Sequence, residues 1–278
     1  MARSWVFTKN AKTAVASGSN IFTGNDIERS SDSQTVVGYF VEHVGGTVWS
    51  LDNLASIELT VGSDIIYKMS KAAYLSWLNA AMKSKLDFSG GTLDGWPIIL
   101  NLEDEEEEDV ADICGLPKGV PQLTLTWDAN VTGTPTVQVA SLVSNIRRIL
   151  NPRFQSSPTN VATAAVNQKV DLDFEGALRW FGFNNNSGHA PTRHKLYLGK
   201  DVRIEGTQQL MYGAAKTRSP LADTDPLYIK LVGMQAGPGR YEFDAAAGVA
   251  GSDEYATISY VADADARAED ALAIFNRS

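Results

Sequence analysis

The chain has 278 residues, a formal net charge of −9, 44% hydrophobic and 21% charged residues, and one cysteine. That composition is ordinary for a globular protein and excludes a disordered or fibrous class, while the length suits about two domains that each bury a core. The acidic balance opposes direct binding to phosphate backbones, and Cys114 alone leaves no intrachain disulfide.

The first ten residues include Trp5, Val6 and Phe7 but no apolar run of signal-peptide length, and no stretch approaches the length of a membrane-spanning helix; the expectation is a chain made in a cytoplasm. Val36-Val37-Gly38-Tyr39-Phe40-Val41 and Thr47-Val48-Trp49-Ser50-Leu51 are short apolar runs bounded by Gly, Asp and Asn, the spacing of an antiparallel sandwich. A helix is predicted over 70–86, with Ser70 as N-cap and Tyr74, Leu75, Leu78 and Met82 as its apolar stripe. The segment 141–150 fits strand or helix, with Leu142, Ile146 and Ile149 slightly favouring a helical stripe. Residues 151–160, polar and twice interrupted by proline, mark the boundary between domains over 1–150 and 151–278. A last helix, Ala-rich, is predicted over 263–275.

The two halves repeat one order of elements. Glu58-Leu59-Thr60-Val61-Gly62-Ser63-Asp64-Ile65 returns as Lys195-Leu196-Tyr197-Leu198-Gly199-Lys200-Asp201-Val202. Trp96-Pro97-Ile98-Ile99 returns as Asp225-Pro226-Leu227-Tyr228, and Thr124-Leu125-Thr126-Trp127 as Thr257-Ile258-Ser259-Tyr260. A short segment at 207–212 stands where the helix stands in the first half. The fold class expected is all-β, two tandem jelly-roll sandwiches with a few short helices.

No catalytic constellation emerges. The acidic run 103–109 offers oxygen ligands, with Glu103, Asp104 and Asp109 as calcium candidates, but lacks the spacing and glycine of a calcium loop and reads as a solvated segment. His43, His189 and His194 are read as structural or surface histidines, and Cys114 as a buried small hydrophobe. Paired basic residues at Arg147-Arg148 are a candidate basic patch. Trp49, Trp77, Trp96, Trp127, Trp180, Phe181 and Phe183 raise an alternative, a carbohydrate- or receptor-binding platform, although their placement suits a core. A bicupin-like enzyme would need histidine pairs inside each barrel, and no H-x-H sequence is present.

The duplicated order, and the passage from Trp96-Pro97-Ile98-Ile99-Leu100 through the acidic run and Cys114-Gly115-Leu116-Pro117 to Gln122-Leu123-Thr124-Leu125-Thr126-Trp127, resembles the double jelly-roll major capsid proteins of tailless icosahedral viruses with an internal membrane, notably corticovirus-type bacteriophages. The resemblance implies a non-enzymatic shell subunit located in the virion. It implies a homotrimer forming a pseudo-hexameric capsomer, with neighbouring capsomers, penton or minor capsid proteins and the viral membrane as partners and no direct contact to nucleic acid. It also makes the chain ends contact segments, with Trp5, Phe7, Ile274 and Phe275 as interface candidates. No long tower-like insertion is visible, so receptor binding by this chain is not expected.

Overall fold

The computed structural model describes residues 3–7, 10–46, 53–81, 95–100, 114–145, 148–161, 165–184, 191–207, 209–211, 227–245 and 251–263. It divides into two compact units. One comprises Met1–Lys71, Asp87–Pro152 and Ala262–Ala271; the other comprises Ala72–Leu86, Arg153–Val261 and Leu272–Ser278.

In the first unit, one sheet has the order β1 (Arg3–Phe7), β9 (Thr136–Ser144), β4 (Thr35–Gly45), β7 (Gly95–Ile99), with β2 (Lys12–Thr13) also pairing with β9. The other has the order β3 (Ser19–Thr23), β8 (Pro121–Trp127), β5 (Leu54–Val61), β6 (Asp64–Ser70). Alternation explains β5 and β8: Ile57, Leu59, Leu123 and Leu125 are fully buried, while Glu58, Thr124 and Thr126 between them are half-buried. Each fully buried leucine or isoleucine contributes about 1.5–3 kcal/mol of transfer free energy. Trp96 and Trp127 meet edge-to-face at 6.5 Å.

The second unit has one sheet in the order β15 (Leu227–Ala236), β12 (Ala177–Asn184), β17 (Gly251–Ala262), β10 (Leu150–Val161), and another in the order β11 (Ala165–Leu172), β16 (Gly239–Ala245), β13 (Pro191–Leu198), β14 (Asp201–Thr207). Its core gathers Leu178, Phe181, Phe183, Leu196, Leu198, Tyr241 and Phe243. Phe183 touches both Tyr241 and Phe243, with ring centroids at 5.2 and 5.1 Å. His194 is buried among these rings and hydrogen-bonds through Nδ1 to the Tyr241 hydroxyl, so it is a core residue.

With β1 and β2 sharing the first position, each unit contains the same eight positions. One sheet reads first, eighth, third, sixth and the other second, seventh, fourth, fifth, which is the jelly-roll order in both units. The repeated Gly62 and Gly199 motifs form the hairpins between the fourth and fifth positions. Their φ values of 62° and 64° are left-handed, as the first residue of a two-residue hairpin turn requires. Pro97 lies in the sixth-position strand β7 and Pro226 immediately precedes its counterpart, β15. The third sequence pairing is corrected: Thr124–Trp127 lies in the seventh position, whereas Thr257–Tyr260 lies in the eighth, and the true counterpart of β8 is β16 with its Tyr241 and Phe243.

Other expectations are refined. The predicted helix is α1 (Lys71–Ala81); among its described side chains Ala73, Tyr74, Ser76, Trp77 and Leu78 are buried and Leu75 is half-buried, while Met82 and the rest of 82–86 lie outside the described residues. Trp77 packs edge-on against Phe154 at 4.9 Å, and most of α1 belongs to the second unit although it directly follows β6. Residues 141–144 end strand β9; 151–160 lie within β10, where Leu150 and Phe154 are fully buried, and the division between the units falls inside that segment, between Pro152 and Arg153. Proline is tolerated in such a strand wherever its missing N–H is not needed by the ladder. A helical turn at 209–211 follows β14, as α1 follows β6. Of the predicted C-terminal helix only Asp263 is described, and it is not helical.

Candidate assembly surfaces

Alternation buries one side of β11-β16-β13-β14 and presents the other outward, whereas in β12 and β17 the described residues 177–183 and 253–260 are buried at every position. In the second unit, Leu196, Tyr241 and Phe243 point into the core, so Lys195, Arg240, Glu242 and Asp244 project from the opposite face of β11-β16-β13-β14. Cross-strand register places Lys169 beside Glu242, Glu242 beside Lys195, and Lys195 beside Glu205. Measured ion pairs follow that row, with Lys169 Nζ 3.6 Å from Glu242 Oε1 and Lys195 Nζ 3.5 Å from Glu205 Oε2. Arg193 also pairs with Glu205, and Arg240 Nε lies 3.1 Å from Glu242 Oε1. The Tyr197 ring carries two cations, Arg240 at 4.7 Å and Lys195 at 5.1 Å. The hydrogen bond from Arg193 lowers the pKa of Glu205, and the same bond raises that of Arg193; Lys195 is raised through Tyr197 first and Glu205 second.

The equivalent sheet of the first unit presents different chemistry. Its rows across β3-β8-β5-β6 are Ser19, Thr126, Ser56, Ser70 and then Ile21, Thr124, Glu58, Lys68. Hydroxyls dominate, with Ser19 Oγ and Thr126 Oγ1 at 3.5 Å. Ile21 on this face is 45% exposed, and Val120 at the start of β8 is 58% exposed.

At the edge of that sheet, β3 is closed by its own flanks. Lys12 Nζ donates to the Ile21 carbonyl and lies 2.9 Å from Asp26 Oδ2. The Thr23 N–H donates to Asp26 Oδ2 at 3.1 Å, and the Thr23 carbonyl accepts from the Asp26 and Ile27 amides. Burial raises the Asp26 pKa, but the Thr23 amide, Lys12 and Asn10 outweigh it and the net shift is downward. An edge capped in this way offers fewer free groups for strand addition.

The sequence candidates distribute as follows. Trp5 and Phe7 lie on β1, in register with Leu142 and Ala140 of β9. Ile274, Phe275, His189, Trp49 and the whole run holding Glu103, Asp104 and Asp109 lie outside the described residues. Cys114 is buried, its Sγ 3.6 Å from the Leu100 carbonyl. Arg148 does not form a surface patch: it is buried, with Nε 2.5 Å from Asp263 Oδ2 and Nη1 donating to the Leu116 carbonyl at 3.0 Å. Trp77, Trp96, Trp127, Trp180, Phe181 and Phe183 are all buried, so they make no exposed platform. Sequence reasoning missed the charged face, although Arg240-Tyr241-Glu242-Phe243-Asp244 carries the signal, a charge at every second position. Among the described residues, no group of three or more His, Cys, Asp or Glu is placed to hold a metal, and no helix is long and apolar enough to cross a membrane.

No family model matches the sequence, and no curated protein matches it. Solved structures do match. The chain is similar to the major capsid protein of STIV, the Sulfolobus turreted icosahedral virus, with a TM-score of 0.69 at 10% identity over 94% of this chain and 97% of that one. It is similar to the major capsid protein of bacteriophage PM2, with a TM-score of 0.68 at 8% identity over 95% and 99% of the two chains. The PBCV-1 virus capsid gives 0.61 at 11% identity over 93% of each chain. The fold is therefore the double jelly roll, shared over 93–95% of this chain with these virus capsid structures.

Proposed function

We propose that the chain is the major capsid protein of an icosahedral virion that encloses a membrane. Three copies form a trimeric, pseudo-hexameric capsomer; neighbouring capsomers and penton or minor capsid proteins complete the shell. The observation that carries this reading is the end-to-end agreement with capsid subunits at low identity, together with the same eight-position order in both units. Fold alone does not fix function. What adds to it is chemistry: outer faces made of ion pairs and hydroxyls suit burial against copies of the chain, and of the aromatics that motivated a carbohydrate platform, Trp77, Trp96, Trp127, Trp180, Phe181 and Phe183 are committed to packing. The reading assigns no catalytic step and no contact to nucleic acid. It places the protein in the virion after synthesis in a host cytoplasm, and leaves calcium at the acidic run to metal analysis of the purified shell.

Light scattering on a size-exclusion column, followed by electron microscopy of the same peak, tests the proposal. A trimer mass with pseudo-hexagonal particles is the expected result. A monomer at high concentration overturns it and favours a binding module.

A further inference from the structure

The charged face of the second unit has an order beyond what its own sheet requires. Opposite charges on adjacent strands stabilise the sheet itself. Alternation across all four strands, Lys169, Glu242, Lys195, Glu205, has a second property. A half-turn about an axis parallel to the strands, running between β16 and β13, lays β11 over β14 and β16 over β13 of a second copy. Lys169 then meets Glu205, and Glu242 meets Lys195. In the flanking rows, where Arg240 sits beside Tyr197 and Asp244 beside Arg193, Arg240 meets the Tyr197 ring and Asp244 meets Arg193. A half-turn about an axis across the strands, through the middle row, instead stacks Lys195 on Lys195 and Glu242 on Glu242. The charge pattern thus favours one geometry and opposes the other.

The geometry points to this face as a two-fold contact between two copies of the chain, with the axis parallel to the strands. This rests on the reading of the chain as a shell subunit. The occupant is a second copy because the pattern is complementary to itself. Four strands about 4.8 Å apart and about six residues long present roughly 400 Å² per copy, well below the ~600–1,000 Å² per partner of a stable pair. Such a contact is weak alone and becomes effective when copies are already held in an array. Its exposed charges also make it salt-sensitive.

Two paired-substitution variants test it. Lys169→Glu with Lys195→Glu turns the row wholly acidic; Glu205→Lys with Glu242→Lys turns it wholly basic. Sedimentation velocity of the full chain at ~0.05 M and ~1 M salt, spanning Debye lengths from over 10 Å to about 3 Å, reads the outcome. The unaltered chain is expected to associate beyond its base oligomer at low salt and to lose that association at high salt. Each variant alone is expected to stay at the base oligomer, and an equimolar mixture to recover association. Salt-independent or absent association of the unaltered chain overturns the proposal, as does a mixture that does not recover. The mass of the base oligomer is a separate readout: a base monomer removes the trimer reading, whereas a base trimer without the salt-sensitive step removes this contact alone.

Discussion

The outer faces of β3-β8-β5-β6 and β11-β16-β13-β14 occupy the same positions in two copies of one topology and share almost no surface chemistry. One is built of serine and threonine rows with an exposed isoleucine; the other is a ladder of ion pairs around a tyrosine. The inward positions are apolar in both, because closing a sandwich demands it. The outward positions are free of that demand and have diverged.

That contrast is open to attack, first at the inward layer, where the units should behave alike. Phe243→Ala and Leu125→Ala, both buried, are each expected to lower stability by about 2–5 kcal/mol in denaturant unfolding. A small loss at one site and a large loss at the other would break the symmetry of the cores. Next comes the contrast of a buried pair with an exposed one. Arg148→Met takes the guanidinium away from the buried Asp263 carboxylate and should cost about 3–5 kcal/mol. Arg193→Met on the exposed ladder should leave stability nearly unchanged by the same measurement.

Acid sharpens the comparison further. The folded-state pKa of Glu205 is depressed, so its contribution to stability is present above the unfolded pKa and is lost as pH falls through the folded value. Glu205→Gln should therefore flatten part of the acid limb of a stability-against-pH curve, and an unchanged limb would remove the ladder from the account. A small effect is also expected for Thr124→Lys, which places a cation opposite Glu58 in the hydroxyl face. It should change thermal unfolding by an amount equivalent to about 0.2–1 kcal/mol.

The legible part of the fold followed from local demands. Gly62 and Gly199 were readable because a tight hairpin needs positive φ, and the alternation around them identified the strands. Thr124–Trp127 and Thr257–Tyr260 were mispaired because alternating β-segments look alike whatever position they hold, and position is set by long-range pairing. The polar, proline-interrupted segment 151–160 marks the division between the units, but its prolines and polar residues mask a strand, β10, that starts with the buried Leu150 and Phe154. Arg148 gave no sign of its partner, since Asp263 lies far along the chain. The charged face was visible strand by strand, but its sign alternation exists only across strands that are distant in sequence.

Both hairpin tips have one more property. A Cβ built on Gly62 or Gly199 would meet nothing within 4 Å, so these turns are held by conformation and not by crowding. The Gly199 amide donates to the Pro238 carbonyl at 2.8 Å, which ties that tip to the neighbouring turn, so Gly62 is the freer of the two, and each doubling of a flexible loop costs only about 0.6 kcal/mol in closure. The Gly62 tip is the place where the chain has room to acquire decoration: a peptide epitope, a tag or a whole inserted module.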